Sequence, residues 1–348
     1  MSHLGSLLLR FSLTVAAIVM SHSVLLAHDL WIEPTTFSPA LGERVGVRLR
    51  VGEDLRGDPL PRNSSRINQF FVEDAAGRTP VIGRHGANPA GSLRVTTPGM
   101  LVIGYSSHPS TVELTADKFN QYLKEEGLDA VVALRAQRNE TDAKTRELFS
   151  RCGKSLLLSG SPTATQGDRP LGLTLELVAE RNPYALGPDE ELPVRLTYKN
   201  QPLTNALVIA MNQRNPSDKQ KARTDNTGRV RFRLPSDGLW LIKAVHTIPA
   251  PADANAEWES FWASLTFALP TTNTHGKEET KSSVHNQPSA FSTHEQPRTR
   301  SLFRLPISPL RIVPAPLGWS RPECAHPPCA VDRPPPGRLP RTPGHARV

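Results

Sequence analysis

The hydrophobic positions of the chain change period twice, and those changes divide it. From Arg44 to Val51, in RVGVRLRV, Val45, Val47, Leu49 and Val51 alternate with polar residues, the mark of a half-buried strand. INQFFVED, GMLVIGYSS and STVEL follow as short strands separated by Gly, Pro and Asn clusters such as GRHGANPAG. At Thr115 the period becomes helical: Phe119, Tyr122 and Leu123 share a face of TADKFNQYLKEEG, Thr115 or Asp117 can cap its start, and Gly127 sits where a helix ends. LDAVVALRAQ and TDAKTRELFSRCGKSLL are expected to continue as helices, the second capped by Thr141.

After the polar stretch SGSPTATQGDRP the strand pattern returns. LGLTLELV, ELPVRLTY, NALVIAMN, RVRFRL and LWLIKAVH are divided by turns such as KNQP, DNTG and PSDG, and in ESFWASLTFAL the residues Phe261, Ala263, Leu265 and Phe267 share one face. Asp225 and Gly228 shape a hairpin turn, and Phe232 enters the core behind it. The expected architecture is mainly β: two antiparallel β-sandwich regions of immunoglobulin-like or transthyretin-like type, joined by a helical insert. The first region runs over 28–114, the insert over 115–158, a linker over 159–170 and the second region over 171–269.

Both ends differ from this body. Residues 1–27 carry one cation, Arg10, then the apolar run FSLTVAAIVM, then SHSVLLA, the layout of a secretory signal peptide and too short for a membrane span. No Cys follows that run, so a lipid-anchored form is excluded. The expected product is periplasmic or secreted, with no transmembrane segment in the mature protein. Cleavage after Ala27 leaves His28 as the new amino terminus; cleavage after Ser23 leaves it internal. Residues 270–348 are dominated by Pro and Arg without hydrophobic periodicity and are expected to be a disordered tail. A frame slip in the coding sequence near Pro270 explains them equally well.

Charge narrows the partners. The net charge is +8, but residues 28–269 hold 29 Lys or Arg against 28 Asp or Glu, and the tail holds 11 against 5. The basicity belongs to the tail, and a balanced body gives no support for nucleic-acid binding. Cys152, alone in the foldable part, cannot form an internal disulfide and is expected to be a small buried residue. Cys324, His326 and Cys329 in CAHPPC are too few for a convincing thiolate site.

Four segments together carry a family resemblance: HDLWIEPTTF, KFNQYLKEEGLDAVVALR, ERNPYALGPDEELPVRL and GLWLIKAVHTIPAPADANAEWESFWASLTFAL. They resemble a bacterial periplasmic domain-of-unknown-function family associated with nickel and cobalt uptake, and the resemblance spans almost all of residues 28–269. It implies a periplasmic component of a membrane metal-uptake transporter, and the tail lies outside it.

The residues themselves offer chemistry for such a role. An N-terminal His28 presents its α-amino nitrogen and imidazole Nδ1 to one ion, with pKa values near about 7.7–8.0 and about 6.5, so a divalent metal displaces both protons near neutral pH. Ni, Co and Cu suit nitrogen ligands. Asp29 and Glu33 can add oxygen or orient the ring. His246, on a strand whose face it shares with Trp240, Ile242 and Ala244, is the first choice of partner, and the resemblance carries its AVH segment over. His85, on the GRHGANPAG loop, is the second, and His108 reads as a turn residue.

Other features have ordinary explanations. Asp189, Glu190 and Glu191 form a solvated turn, and Trp258, Phe261 and Trp262 are expected in the core. There is no Gly-x-Ser-x-Gly elbow, no His-Glu-x-x-His and no phosphate loop, so no enzyme is expected. The expected function is a periplasmic metal-binding accessory protein. A metal-free β-sandwich interaction module of the cell envelope is the alternative, and a copper oxidase built on His28 is a remote third.

Overall fold

The computed structural model describes residues 28–187 and 189–271. The expected signal peptide and tail lie outside the described residues, apart from the two residues after Leu269.

Strand alternation in the first region produces β1 (Asp29–Pro34), β2 (Arg44–Glu53), β3 (Arg56–Leu60), β4 (Ile67–Asp74), β5 (Gly77–Pro80), β6 (Gly91–Arg94), β7 (Gly99–Ser107) and β8 (Ser110–Leu114). Val45, Val47, Leu49 and Val51 of β2 are all buried on one face, as their spacing predicts. Two helices follow, α1 (Ala116–Glu125) and α2 (Asp129–Gln137). The apolar stripe Phe119, Tyr122 and Leu123 packs inward from α1, and Gly127 ends the turn beyond it at φ +64°. Thr115 occupies the N-cap without a side-chain hydrogen bond.

The third predicted helix is a strand. Thr145–Ser159 forms β9, fifteen residues long, and Thr141 caps nothing. The helical insert is therefore confined to α1 and α2. The reason is tertiary: β9 pairs with β7 and β8 along one edge and with the last strand along the other, and its second half is buried on both faces. A doubly covered central strand loses the polar alternation that would distinguish it from a buried helix.

The second region contributes β10 (Leu175–Ala179), β11 (Glu191–Tyr198), β12 (Gln201–Pro202), β13 (Leu207–Asn212), β14 (Asn215–Arg223), β15 (Arg229–Arg233), β16 (Gly238–Pro249) and β17 (Trp258–Leu269). The DNTG turn forms as its residues dictate: Asp225 Oδ1 accepts from the amides of Thr227 (2.7 Å) and Arg229 (3.0 Å), Gly228 sits at φ +75°, and Phe232 is buried.

The two regions share one nine-stranded sheet. Its order is β14-β13-β16-β17-β9-β7-β4-β5, with β8 also on β9, and the join is the parallel pairing of β17 with β9. Two four-stranded sheets flank it. One is β1-β2-β3 with β6 on β2; the other is β10-β11-β12 with β15 on β11. The first packs Leu30, Ile32 and the β2 valines against Val72, Leu101, Ile103 and Leu157. The second packs Leu175, Leu177, Leu192, Val194 and Phe232 against Trp240, Ile242, Phe261 and Phe267. The expected β-sandwich character holds, in the form of two small sheets against one large one. Cys152 is buried within β9, and Trp258, Phe261 and Trp262 are core residues.

Candidate functional site

The amino end of β1 lies over the join between β9 and β17. Thr266 Oγ1 donates to the Ile32 carbonyl at 2.7 Å, and the amide of Leu158 donates to the carbonyl of Phe37 at 2.9 Å. Gly153 of β9 lies beneath Leu30 and Ile32: a Cβ there would sit 3.3 Å from atoms of both. The absence of a side chain at Gly153 lets the Leu30 and Ile32 side chains lie directly on β9.

Lys243 then joins Asp29 and Glu126 in a charged triad. Lys243 Nζ, from β16, lies 2.9 Å from Asp29 Oδ1 and 2.7 Å from an oxygen of Glu126, the residue after α1. All three are largely shielded from solvent. Burial alone lowers the Lys243 pKa, but Asp29 and Glu126 outweigh it and hold the ammonium above the ordinary lysine range. Burial raises the carboxyl of Glu126 against the pull of Lys243. Arg151 of β9 donates to the His28 carbonyl at 3.1 Å. Asp29 is committed to its ion pair with Lys243, and that ammonium disfavours a divalent ion there.

His28 is placed differently. Antiparallel pairing of Asp29 with Gly52 sets His28 beside Glu53, and Nδ1 lies 2.9 Å from Glu53 Oε1. That nitrogen is buried, and Glu53 is its ion-pair partner. The imidazole is 19% exposed and the Glu53 side chain 71%, so the pair opens outward. Beside it a cleft of about 380 Å³ is lined by Glu53, Asp54, Arg56, Arg214, Asn215 and Ser217.

The other predicted ligands are elsewhere. His246 shares its face of β16 with Trp240, Ile242 and Ala244, as its spacing predicts, but that face packs against Tyr198 of the β10-β11 sheet, with ring centroids 4.7 Å apart. Lys243, three residues away, points to the opposite face. His246 and Asp29 are therefore separated by the thickness of the sheet, and burial lowers the His246 pKa. His85 lies on its exposed loop, where Nδ1 accepts from the Ser64 amide at 3.3 Å. Glu33 pairs with Arg50 at 3.0 Å. Among the described residues no three His, Cys, Asp or Glu side chains converge as a metal site.

Glu53, Lys243, Glu126 and Arg151 carry no motif and were not legible as site residues. The available signal was the lone Lys243 inside the apolar run LWLIKAVH.

The architecture places the protein among mainly β proteins built from small sheets on a larger one. The chain belongs to the family described as Domain of unknown function (DUF4198), whose model matches residues 25–248. No curated protein matches it. Among solved structures it is similar to the D0-D1 domain of Intimin, at 10% identity over 69% of this chain and 98% of that one, with a TM-score of 0.17, a level that carries no argument. No helix among the described residues is long and apolar enough to cross a membrane.

Proposed function

We propose that this protein is an exported metal-binding accessory protein that holds Ni, Co or Cu at the amino end of β1 and passes it to a membrane metal-uptake transporter. The observation that supports this reading is the buried Nδ1 of His28 held 2.9 Å from Glu53 Oε1. Two ligands at right angles on one ion, each roughly 2.0–2.1 Å from it, stand about 2.9 Å apart, so the pair is spaced as neighbouring ligands are. Cleavage after Ala27 adds the α-amino nitrogen of His28, giving two nitrogens and one carboxylate oxygen, a set suited to borderline divalent ions. The outward-facing Glu53 leaves the ion open to transfer. Asp29 acts in this reading as the anchor of β1, held by Lys243. His246 and His85 take no part.

The test combines determination of the amino terminus of the exported protein with calorimetric titration by Ni, Co and Cu. One equivalent bound by a chain beginning at His28 is the expected result. A chain that begins elsewhere, or that binds none of the three stoichiometrically, overturns the reading in favour of the metal-free interaction module.

A further inference from the structure

On the face of β9 opposite β1, Lys154 is fully buried in contact with two carboxylates. Its Nζ lies 2.8 Å from Asp168 Oδ1, 3.0 Å from Glu176 Oε1 and 2.9 Å from the Arg169 carbonyl, and all three side chains are at most 1% exposed. We propose that Lys154 and Asp168 become joined by an isopeptide bond that the folded protein forms itself, with Glu176 as the base.

The arrangement satisfies the requirements of that reaction. A nucleophile and an acyl carbon must be held in contact in a dry site, where proximity replaces the need for an activated acid. The attacking nitrogen must be an uncharged amine and the acyl group an uncharged acid. Transfer of one proton from Lys154 to Asp168 along their 2.8 Å contact supplies both. Burial pushes the Asp168 carboxyl up, toward the neutral acid, against the pull of Lys154.

The two carboxylates are distinguished by what else they bind. Glu176 accepts from the backbone amides of Leu171 (2.6 Å), Gly172 (3.0 Å) and Leu173 (3.1 Å), which fix its carboxylate beside Lys154 Nζ. Asp168 Oδ1 accepts from the Arg169 amide at 2.7 Å, and Oδ2 accepts from the Ala179 amide at 2.9 Å, a donor positioned to stabilise an oxyanion on that second oxygen.

The steps balance without oxidant or co-reactant. The Lys154 lone pair attacks Cγ of Asp168, forming the N–C bond. Glu176 takes the second proton from nitrogen, then returns it to the departing Oδ1 hydroxyl as the C–O bond breaks. One ammonium and one carboxylate become one amide and one water, and Glu176 is regenerated. The product replaces two buried charges by a neutral group, removing their desolvation penalty. It also ties β9 to the chain segment that leads into β10, closing a loop between residues 154 and 168.

The test is peptide mapping of the denatured full chain. Trypsin cannot cut after a lysine whose Nζ is acylated, so the expected peptide starts at Cys152, runs uncut through Lys154 and is lighter by one water, with fragmentation placing the link on Asp168. Normal cleavage after Lys154 at unaltered mass, in protein that is folded by circular dichroism before denaturation, overturns the proposal. A link found on Glu176 instead overturns the assignment of acyl group and base. Folded Glu176→Gln protein is expected to be cut normally at Lys154, and retention of the link in that variant overturns the role of Glu176.

Discussion

Lys243 Nζ lies 2.9 Å from Oδ1 of Asp29, a residue 214 positions earlier in the chain, and so binds β1 to β16 of the nine-stranded sheet. Glu126, at 2.7 Å from the same nitrogen, adds the end of α1 to that junction. Lys243→Met leaves two buried carboxylates facing each other without a cation. Removing one partner of a buried ion pair is expected to lower stability by about 3–5 kcal/mol. Urea unfolding monitored by tryptophan fluorescence measures it, and a loss below about 1 kcal/mol, the range of exposed pairs, would show that the triad does not hold β1.

How legible this was in the sequence depended on whether the signal was local. The β2 alternation, the α1 stripe ended by Gly127 and the Asp225–Gly228 turn each rest on residues close in sequence, and each forms as predicted. β9 does not, because its strand character comes from pairing with β17, more than a hundred residues later. The face that His246 occupies was readable from its neighbours; that this face is turned away from Asp29 was not, since it depends on which sheet covers which side. Glu53 entered the candidate site through strand register alone.

Gly228→Ala tests the hairpin. The residue stands at φ +75°, and an added Cβ would lie 2.6 Å from the carbonyl oxygen of Leu196, backbone that cannot swing aside. Left-handed strain and the clash together are expected to cost about 1–3 kcal/mol. Thermal unfolding provides the measurement, and an unchanged midpoint would mean that the turn relaxes freely.

The metal reading predicts an ordering among variants. His28→Ala and Glu53→Gln are each expected to weaken Ni, Co or Cu binding by at least roughly 10-fold, the scale that even supporting residues of metal sites command. His85→Ala and His246→Ala are expected to leave it unchanged, because one lies on a distant exposed loop and the other beneath Tyr198 on the opposite face. Competition titration with a chromogenic chelator ranks the four. Loss of binding in His246→Ala with retention in His28→Ala would move the site to the other side of the sheet.

Glu147 predicts the pH dependence of stability. It is buried on β9 beneath α1, where the Tyr122 hydroxyl donates to it at 3.2 Å and also meets Thr247 Oγ1 at 3.2 Å. Burial raises its pKa from 4.5 to about 7, with hydrogen bonds from Ser260 and Tyr122 acting in the opposite direction. A carboxyl whose folded pKa lies above its unfolded one favours folding while protonated. Its contribution is complete below pH 4.5, falls as pH rises toward about 7, and is absent above that. At 1.36 kcal/mol per unit the span is about 3 kcal/mol. Glu126, at the end of α1, is also raised by burial and titrates in the same direction. Subtraction of a variant isolates the Glu147 share. Glu147→Gln keeps an oxygen for Tyr122 and removes the ionisation, so the stability of wild type relative to this variant is expected to fall by about 3 kcal/mol between pH 4.5 and pH 8. Urea unfolding of both proteins across that range gives the difference, and parallel curves would show that Glu147 ionises in the folded protein no less readily than in the unfolded chain.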